Sequence, residues 1–124
     1  MLFRSIPVTA DDGFQLTAAH VEAHWADNTI GALVASPANP TGAVIDREHM
    51  AELAAAVAGK GGHLIVDEIY HGLSFGVPTP SVLEFSDDAF VINSFSKYFG
   101  MTGDRKSTRL NFSHSSVSRM PSSA

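Results

Sequence analysis

The chain has 124 residues, of which 44% are hydrophobic and 17% are charged, and its formal net charge at pH 7 is −5. This composition is typical of one globular domain, and the acidic balance argues against nucleic acid as the main partner. The chain contains no cysteine, which excludes a disulfide framework and a thiolate metal site.

We expect neither an export signal nor a membrane span in these residues. The opening stretch MLFRSIPVTA has no apolar run long enough for a signal peptide, and no run elsewhere approaches the roughly 20 apolar residues of a membrane span. We therefore predict a soluble, cytoplasmic protein without a membrane partner.

The first predicted elements are a short helix and a buried strand. Apolar residues at Leu16, Val21 and Trp25 indicate the helix, with Thr17 as its N-cap. The strand is GALVAS, residues 31–36, and it runs into SPANPTG, whose two prolines, asparagine and glycine predict a turn.

A second helix follows this turn. Asp46 is its predicted N-cap, and Met50, Leu53, Ala54 and Val57 recur at the i, i+3, i+4, i+7 spacing of a helix that buries one face. The pair of glycines at positions 61 and 62 is expected to end it.

Two more strands complete an α/β pattern. They are the apolar runs in HLIVDEIY and in FVINS, the second ending at Ser94. Continuous apolar runs are typical of central strands covered on both faces, and in parallel sheets the functional site lies at the carboxyl ends of the strands. Five polar residues follow predicted strands: Asn39, Asp67, Tyr70, Ser94 and Lys97.

Three stretches carry a family resemblance. A lone lysine is usually a solvated surface group, and NPTG alone is an ordinary turn. In the order SPANPTG, VDEIY, NSFSKYFGMTG, however, these stretches resemble the signatures of fold-type I pyridoxal-phosphate-dependent aminotransferases of class I and II. The resemblance implies an incomplete part of a three-layer α/β/α large domain with a mostly parallel sheet, spanning residues 1–103.

The resemblance also implies a reaction and its catalytic residues. The reaction is transamination between an amino acid and a 2-oxo acid with pyridoxal 5'-phosphate as cofactor. Lys97 would form the Schiff base and move the proton, Asp67 would pair with the pyridine nitrogen, and Tyr70 would hydrogen-bond the ring's phenolic oxygen.

Further cofactor contacts are implied in the same way. Asn39 would hydrogen-bond the same phenolic oxygen as Tyr70, while Ser94, Ser96 and Arg105 would bind the phosphate. The family usually reads Gly-Trp-Arg where this chain reads Gly103, Asp104, Arg105, so the match of Arg105 is by position alone.

The chemistry of these roles leads to two expectations about burial. A lysine attacks an aldehyde only when it is neutral, and burial favours the neutral amine, so we expect Phe95, Tyr98 and Phe99 to bury Lys97. A buried carboxylate needs a partner, so we expect a cationic or protonated group beside Asp67.

The resemblance reaches only the middle of a family chain. An N-terminal arm, a glycine-rich cofactor loop, a ring-stacking aromatic and a small domain with its carboxylate-binding arginine have no counterpart in these residues. Family members are also homodimers with shared sites. The 124 residues alone are therefore predicted to be inactive.

The last 21 residues differ from the rest. Residues 1–103 carry a net charge of −8 and residues 104–124 a net charge of +3, and seven of those 21 residues are serine. Such a composition predicts disorder, and the stretch resembles a translated cloning or adapter scar. We predict a non-native tail at residues 104–124.

Three alternatives stay open. His20 and His24 have the i, i+4 spacing of metal ligands on a helix, but no third ligand is evident and we predict no metal. A related pyridoxal-phosphate-dependent lyase or decarboxylase would use the same lysine, aspartate and tyrosine. An inert truncated fragment would keep the pattern without activity.

Overall fold

A computed structural model describes residues 3–103. The elements are α1 (Ala18–His24), β1 (Gly31–Ala35), α2 (Arg47–Gly59), β2 (His63–Asp67), a 3-10 turn (Val82–Glu84) and β3 (Phe90–Ile92). The strands form one parallel sheet in the order β1-β2-β3. The chain divides into two compact units, one ending at Asn93 and the other beginning at Ser94. All the helices and strands found within residues 3–103 belong to the first unit.

Both predicted N-caps are confirmed. The Thr17 hydroxyl accepts the backbone N–H of His20, and the His20 ring accepts the N–H of Thr17 in return. The Asp46 carboxylate accepts the backbone N–H of His49 at 2.9 Å. These contacts satisfy N–H groups that have no partner inside a helix, which is why the helices begin at these positions.

The core lies between α2 and one face of the sheet. The predicted stripe of α2 is fully or nearly fully buried, and it packs in one cluster with alternate residues of β1 and β2. The cluster's members on these three elements are Met50, Leu53, Ala54, Val57, Val34, Leu64 and Val66. Burial of this apolar surface is the main stabilisation of the first unit.

One face of the sheet is uncovered in the described residues, although apolar runs of this kind are typical of strands covered on both faces. By strand alternation, Leu33, Phe90 and Ile92 occupy the face opposite the core, and they are 57%, 56% and 44% exposed. The core cluster joins α1 and α2 to the same face of the sheet. Within residues 3–93, therefore, neither helix covers the opposite face.

Two strands end earlier than predicted. β1 ends at Ala35 rather than Ser36, and β3 ends at Ile92 rather than Ser94. The N–H of Ser36 still donates to the carbonyl of Asp67 at 3.0 Å, but Pro37 follows and has no N–H with which to extend the ladder.

Neither helix in the part of the chain that the structure describes has the length and apolar character of a membrane span.

Gly31 gives a test of the sheet register. A Cβ atom at this position would collide with the carbonyl oxygen of His63 on β2, and a backbone atom cannot move without disturbing the ladder. We expect Gly31→Ala to reduce the free energy of unfolding by about 1–3 kcal/mol, measured as a lower urea midpoint.

Gly59→Ala is the matched control. Gly59 is the last residue of α2, and a Cβ there meets no atom within 4 Å. Alanine has the higher helix propensity, so we expect the free energy of unfolding to stay the same or to rise by up to about 1 kcal/mol. Equal midpoints for the two variants would contradict the β1–β2 register.

Candidate functional site

The carboxyl ends of the three strands are joined by hydrogen bonds just beyond the sheet. The N–H of Ser36 donates to the carbonyl of Asp67, and the N–H of Glu68 donates to the carbonyl of Ile92 at 2.9 Å. Segments that follow β1 and β2 therefore start from one shared edge, where parallel sheets place their sites.

The loop that carries Asn39 is closed by its own backbone. The N–H of Ala38 donates to the carbonyl of Ala43 at 2.9 Å, and the N–H of Gly42 donates to the carbonyl of Ala38 at 2.7 Å. Gly42 has φ +72°, a conformation that favours glycine. The glycine of SPANPTG is thus required by the turn.

Two buried side chains hold this loop against the strand. The Gln15 amide donates to the carbonyls of Ala35 and Ala43 at 3.1 and 2.8 Å. The hydroxyl of Ser36, which has no exposed surface, accepts the N–H of Ile45 at 3.0 Å. Satisfied buried polar groups of this kind fix one backbone conformation.

Asn39 and Tyr70 meet although 31 positions separate them in the sequence. The Asn39 side-chain amide donates to the Tyr70 hydroxyl oxygen at 3.3 Å. Asn39 is exposed and Tyr70 is half-buried, so this pair presents a phenol and an amide at the strand ends.

Asp67 is the last residue of β2 and precedes Tyr70 by three positions. It is half-buried, and its carboxylate accepts the N–H of Ile69 at 3.0 Å. Within residues 3–93 Asp67 forms no ion pair, and its carboxylate lies at the partly solvated edge of the sheet. The expected cationic or protonated group beside Asp67 stays a prediction.

Glu68 is the buried carboxylate of this edge, and the sequence interpretation gave it no role. Glu68 is 3% exposed. Its Oε1 accepts the N–H of Val82 at 2.8 Å and the hydroxyl of Ser81 at 3.1 Å, and its Oε2 lies 3.4 Å from Nδ1 of His71. Continuing the buried alternation of Leu64 and Val66 to position 68 would have predicted this burial.

The second unit contains the predicted serines and lysine. The Ser94 hydroxyl donates to the Ser96 hydroxyl at 2.8 Å and accepts the N–H of Ser96 at 3.1 Å. Thr102 donates to the carbonyl of Ser96 at 2.8 Å, and the N–H of Gly100 donates to the carbonyl of Lys97 at 3.0 Å. The structure therefore brings Ser94 and Ser96 together in a hydrogen-bonded turn that also carries Lys97.

The expected burial of Lys97 is wrong, because Lys97 is exposed. Phe95 and Tyr98 instead pack against Phe99, with ring centroids 5.4 and 5.0 Å apart, and all three rings remain at least 56% exposed. Because the three rings contact each other, they do not bury Lys97. Arg105 and the predicted tail lie outside the described residues.

The two histidines of α1 contact the helix cap and each other. The His20 ring nitrogen Nδ1 lies 2.8 Å from the Thr17 hydroxyl within the helix cap, and the rings of His20 and His24 stack at 6.4 Å. No group of three or more metal-ligating side chains occurs in the part of the chain that the structure describes.

Comparisons with known proteins agree on one family. The family described as Aminotransferase class I and II matches residues 1–106. The chain is 51% identical over 77 residues to the valine–pyruvate aminotransferase of Mycobacterium tuberculosis, covering 60% of this chain and 20% of the relative. It is 34% identical over 119 residues to 1-aminocyclopropane-1-carboxylate synthase of Malus domestica, covering 81% of this chain and 25% of the relative.

A solved structure shows the same fold. The crystal structure of an aminotransferase from Mycobacterium tuberculosis matches with a TM-score of 0.72 and 44% sequence identity, over 79% of this chain and 27% of that one. The chain thus spans between about a fifth and a quarter of the length of these proteins.

Proposed function

This chain belongs to the class I and II aminotransferase family, and from that premise we propose that the protein transfers an amino group between an amino acid and a 2-oxo acid. The proposed cofactor is pyridoxal 5'-phosphate, on which the family depends. The observation that carries the proposal is the hydrogen bond between Asn39 and Tyr70 at the carboxyl ends of adjacent strands, with Asp67 at the end of the same strand as Tyr70.

The chemistry of the available donors fits this cofactor. A phosphate needs hydroxyl and N–H donors, which Ser94 and Ser96 offer. A phenolic oxygen needs a donor such as the Tyr70 hydroxyl, and a protonated ring nitrogen needs an anion such as Asp67. Lys97 offers an exposed primary amine.

When bound, pyridoxal phosphate supplies an aldehyde carbon conjugated to an electron-withdrawing pyridine ring. Asp67 would hold a proton on the ring nitrogen through its negative charge. Asn39 would orient the Tyr70 hydroxyl by donating to its oxygen, so that the hydroxyl proton points to the phenolic oxygen. The Lys97 amine would hold the cofactor covalently and move the proton at the substrate Cα.

Several finer points belong to the same proposal. Residues 1–103 would form part of the large domain and residues 104–124 a non-native tail, while Arg105 would assist Ser94 and Ser96 at the phosphate. The whole protein would be a cytoplasmic homodimer, and the absence of cysteine is compatible with a reducing compartment. Its substrates would be small molecules rather than nucleic acid.

A chimeric enzyme tests the proposed function. Residues 3–103 replace the matching segment of the Mycobacterium tuberculosis valine–pyruvate aminotransferase, with the family match setting the register. We expect cofactor-dependent amino transfer from valine to pyruvate within about a hundredfold of the unmodified host, because small misplacements at the junctions can cost that much.

Two results would contradict the proposal. A folded, soluble chimera that binds no cofactor and transfers no amino group would favour the inert alternative. Release of ammonia or carbon dioxide in place of amino transfer would favour a lyase or decarboxylase, an alternative that the similarity to a synthase keeps open.

A further inference from the structure

We propose that Glu68 is a positioning residue for Tyr70: it fixes the turn at residues 68–73 so that the Tyr70 hydroxyl keeps one orientation. The inference rests on the proposed function, because Tyr70 is the group that would contact the cofactor's phenolic oxygen. Glu68 itself is buried and is not proposed to touch cofactor or substrate.

Both oxygens of the Glu68 side chain have polar neighbours. Three potential donors converge on it: the N–H of Val82, the hydroxyl of Ser81 and the Nδ1 atom of His71. A buried carboxylate without such donors would be strongly destabilising. The contacts therefore tie the end of β2 to the start of the 3-10 turn at Val82–Glu84.

The backbone of Glu68 connects β3 to the turn that carries Tyr70. Its N–H donates to the carbonyl of Ile92, and its carbonyl accepts the N–H of His71 at 2.9 Å. The carbonyl of Tyr70 in turn accepts the N–H of Leu73 at 3.1 Å. Movement of Glu68 would therefore be transmitted to the backbone on both sides of Tyr70.

His71, the residue after Tyr70, depends on the same carboxylate. Its Nδ1 lies near Glu68, while its Nε2 is buried and has no hydrogen-bond partner among the described residues. Glu68 is thus the polar contact that holds the His71 ring in this part of the chain, and the ring's position is coupled to that of its neighbour Tyr70.

Glutamate suits this position better than glutamine. A carboxylate accepts hydrogen bonds on both oxygens, whereas a carboxamide has one acceptor oxygen and presents an NH₂ group at the other position. Glu68→Gln can keep the contacts of Oε1 with Val82 and Ser81 but places an NH₂ group beside His71 Nδ1, where the carboxylate offers an acceptor. The variant preserves volume and should loosen the turn without creating a cavity.

The test measures how Glu68 affects Tyr70 in the chimera loaded with pyridoxal phosphate. A hydroxyl donating to the phenolic oxygen stabilises the deprotonated chromophore, so Tyr70→Phe should raise the pH midpoint of the visible absorbance change. We expect Glu68→Gln to raise that midpoint less. The double variant should have the midpoint of Tyr70→Phe alone, because the two changes act through one hydroxyl.

A second readout needs no cofactor. In the cofactor-free chimera, amide hydrogen exchange at residues 69–73 should be faster in Glu68→Gln than in the parent. Glu52→Gln, at an exposed position of α2, is the control and should change neither exchange nor midpoint. If Glu68→Gln fails to fold, Ser81→Ala removes one donor and should produce a smaller midpoint shift in the same direction.

The outcomes separate this inference from the proposed function. An unchanged midpoint in Glu68→Gln, or a double variant whose shift is the sum of the two single shifts, overturns the positioning role while the proposed function stands. A parent chimera with no cofactor-dependent visible absorbance overturns the proposed function and this inference with it.

Discussion

Replacing Lys97 by alanine in the chimera should lower the rate of amino transfer by about four orders of magnitude or more. The variant loses both the amine that attaches the cofactor and the group that moves the substrate proton, and acid–base catalysis alone contributes about 10²- to 10⁴-fold. Because Lys97 is exposed, the change removes no core volume, and the urea midpoint should stay the same. Steady-state transfer of valine's amino group to pyruvate measures the effect.

Lys60→Ala is the control for loss of a lysine. Lys60 caps the end of α2 and forms an ion pair with Glu22, a surface contact of little energetic weight. We expect near-parental transfer rates from this variant. Normal turnover in Lys97→Ala would remove the basis for the assigned role of this lysine.

Asp67→Asn should reduce the transfer rate roughly a thousandfold while pyridoxal phosphate still binds. The amide has nearly the same shape as the carboxylate, and it can still accept the N–H of Ile69 as the carboxylate does. It carries no negative charge with which to keep a ring nitrogen protonated, and removal of one preorganised electrostatic contact costs about 10²- to 10³-fold in other enzymes. Single-turnover kinetics and equilibrium dialysis of the cofactor separate the two effects.

Asp88→Asn removes one negative charge elsewhere in the first unit. Asp88 is exposed and precedes β3 by two residues, so its loss should leave the rate within about twofold, as expected for an exposed charge screened by solvent. A similar rate loss in both variants would attribute the effect to net charge, and a near-parental rate in Asp67→Asn would leave Asp67 with a structural role only.

Local signals made much of the fold predictable. The N-caps at Thr17 and Asp46 depend on side chains that satisfy backbone N–H groups a few residues away, and the buried stripe of α2 depends on helical periodicity. Alternating burial along β1 and β2 follows from the two-residue period of a strand. Each of these features is decided within a window of a few residues.

Features that depend on distant packing were harder to predict. Apolar runs such as GALVA favour a strand covered on both faces, but the sequence does not say which helices cover them, and Leu33 remains exposed. Aromatic neighbours likewise predicted a buried Lys97, although three such rings can contact each other instead.

The candidate site likewise contains features that the sequence predicted and features that depend on distant contacts. Strand-end position predicted that Asn39 and Tyr70 share one edge of the sheet, and the family resemblance implied that both contact one atom of the cofactor. The structure brings the two side chains to 3.3 Å. The burial of Glu68 continues the alternation along β2, but its partners Ser81 and Val82 lie 13 and 14 positions away at the start of the 3-10 turn. No local pattern links an acidic residue at a strand end to that turn.

The role assigned to Lys97 can be tested by locating the lysine that carries the cofactor. The chimera is loaded with pyridoxal phosphate, reduced with borohydride, digested and analysed by mass spectrometry, so that a covalently attached cofactor stays on its lysine. We predict one phosphopyridoxyl group on the peptide that contains Lys97 and none on the peptide that contains Lys60. Label on Lys60 or elsewhere, with an unmodified Lys97 peptide, would contradict the assignment.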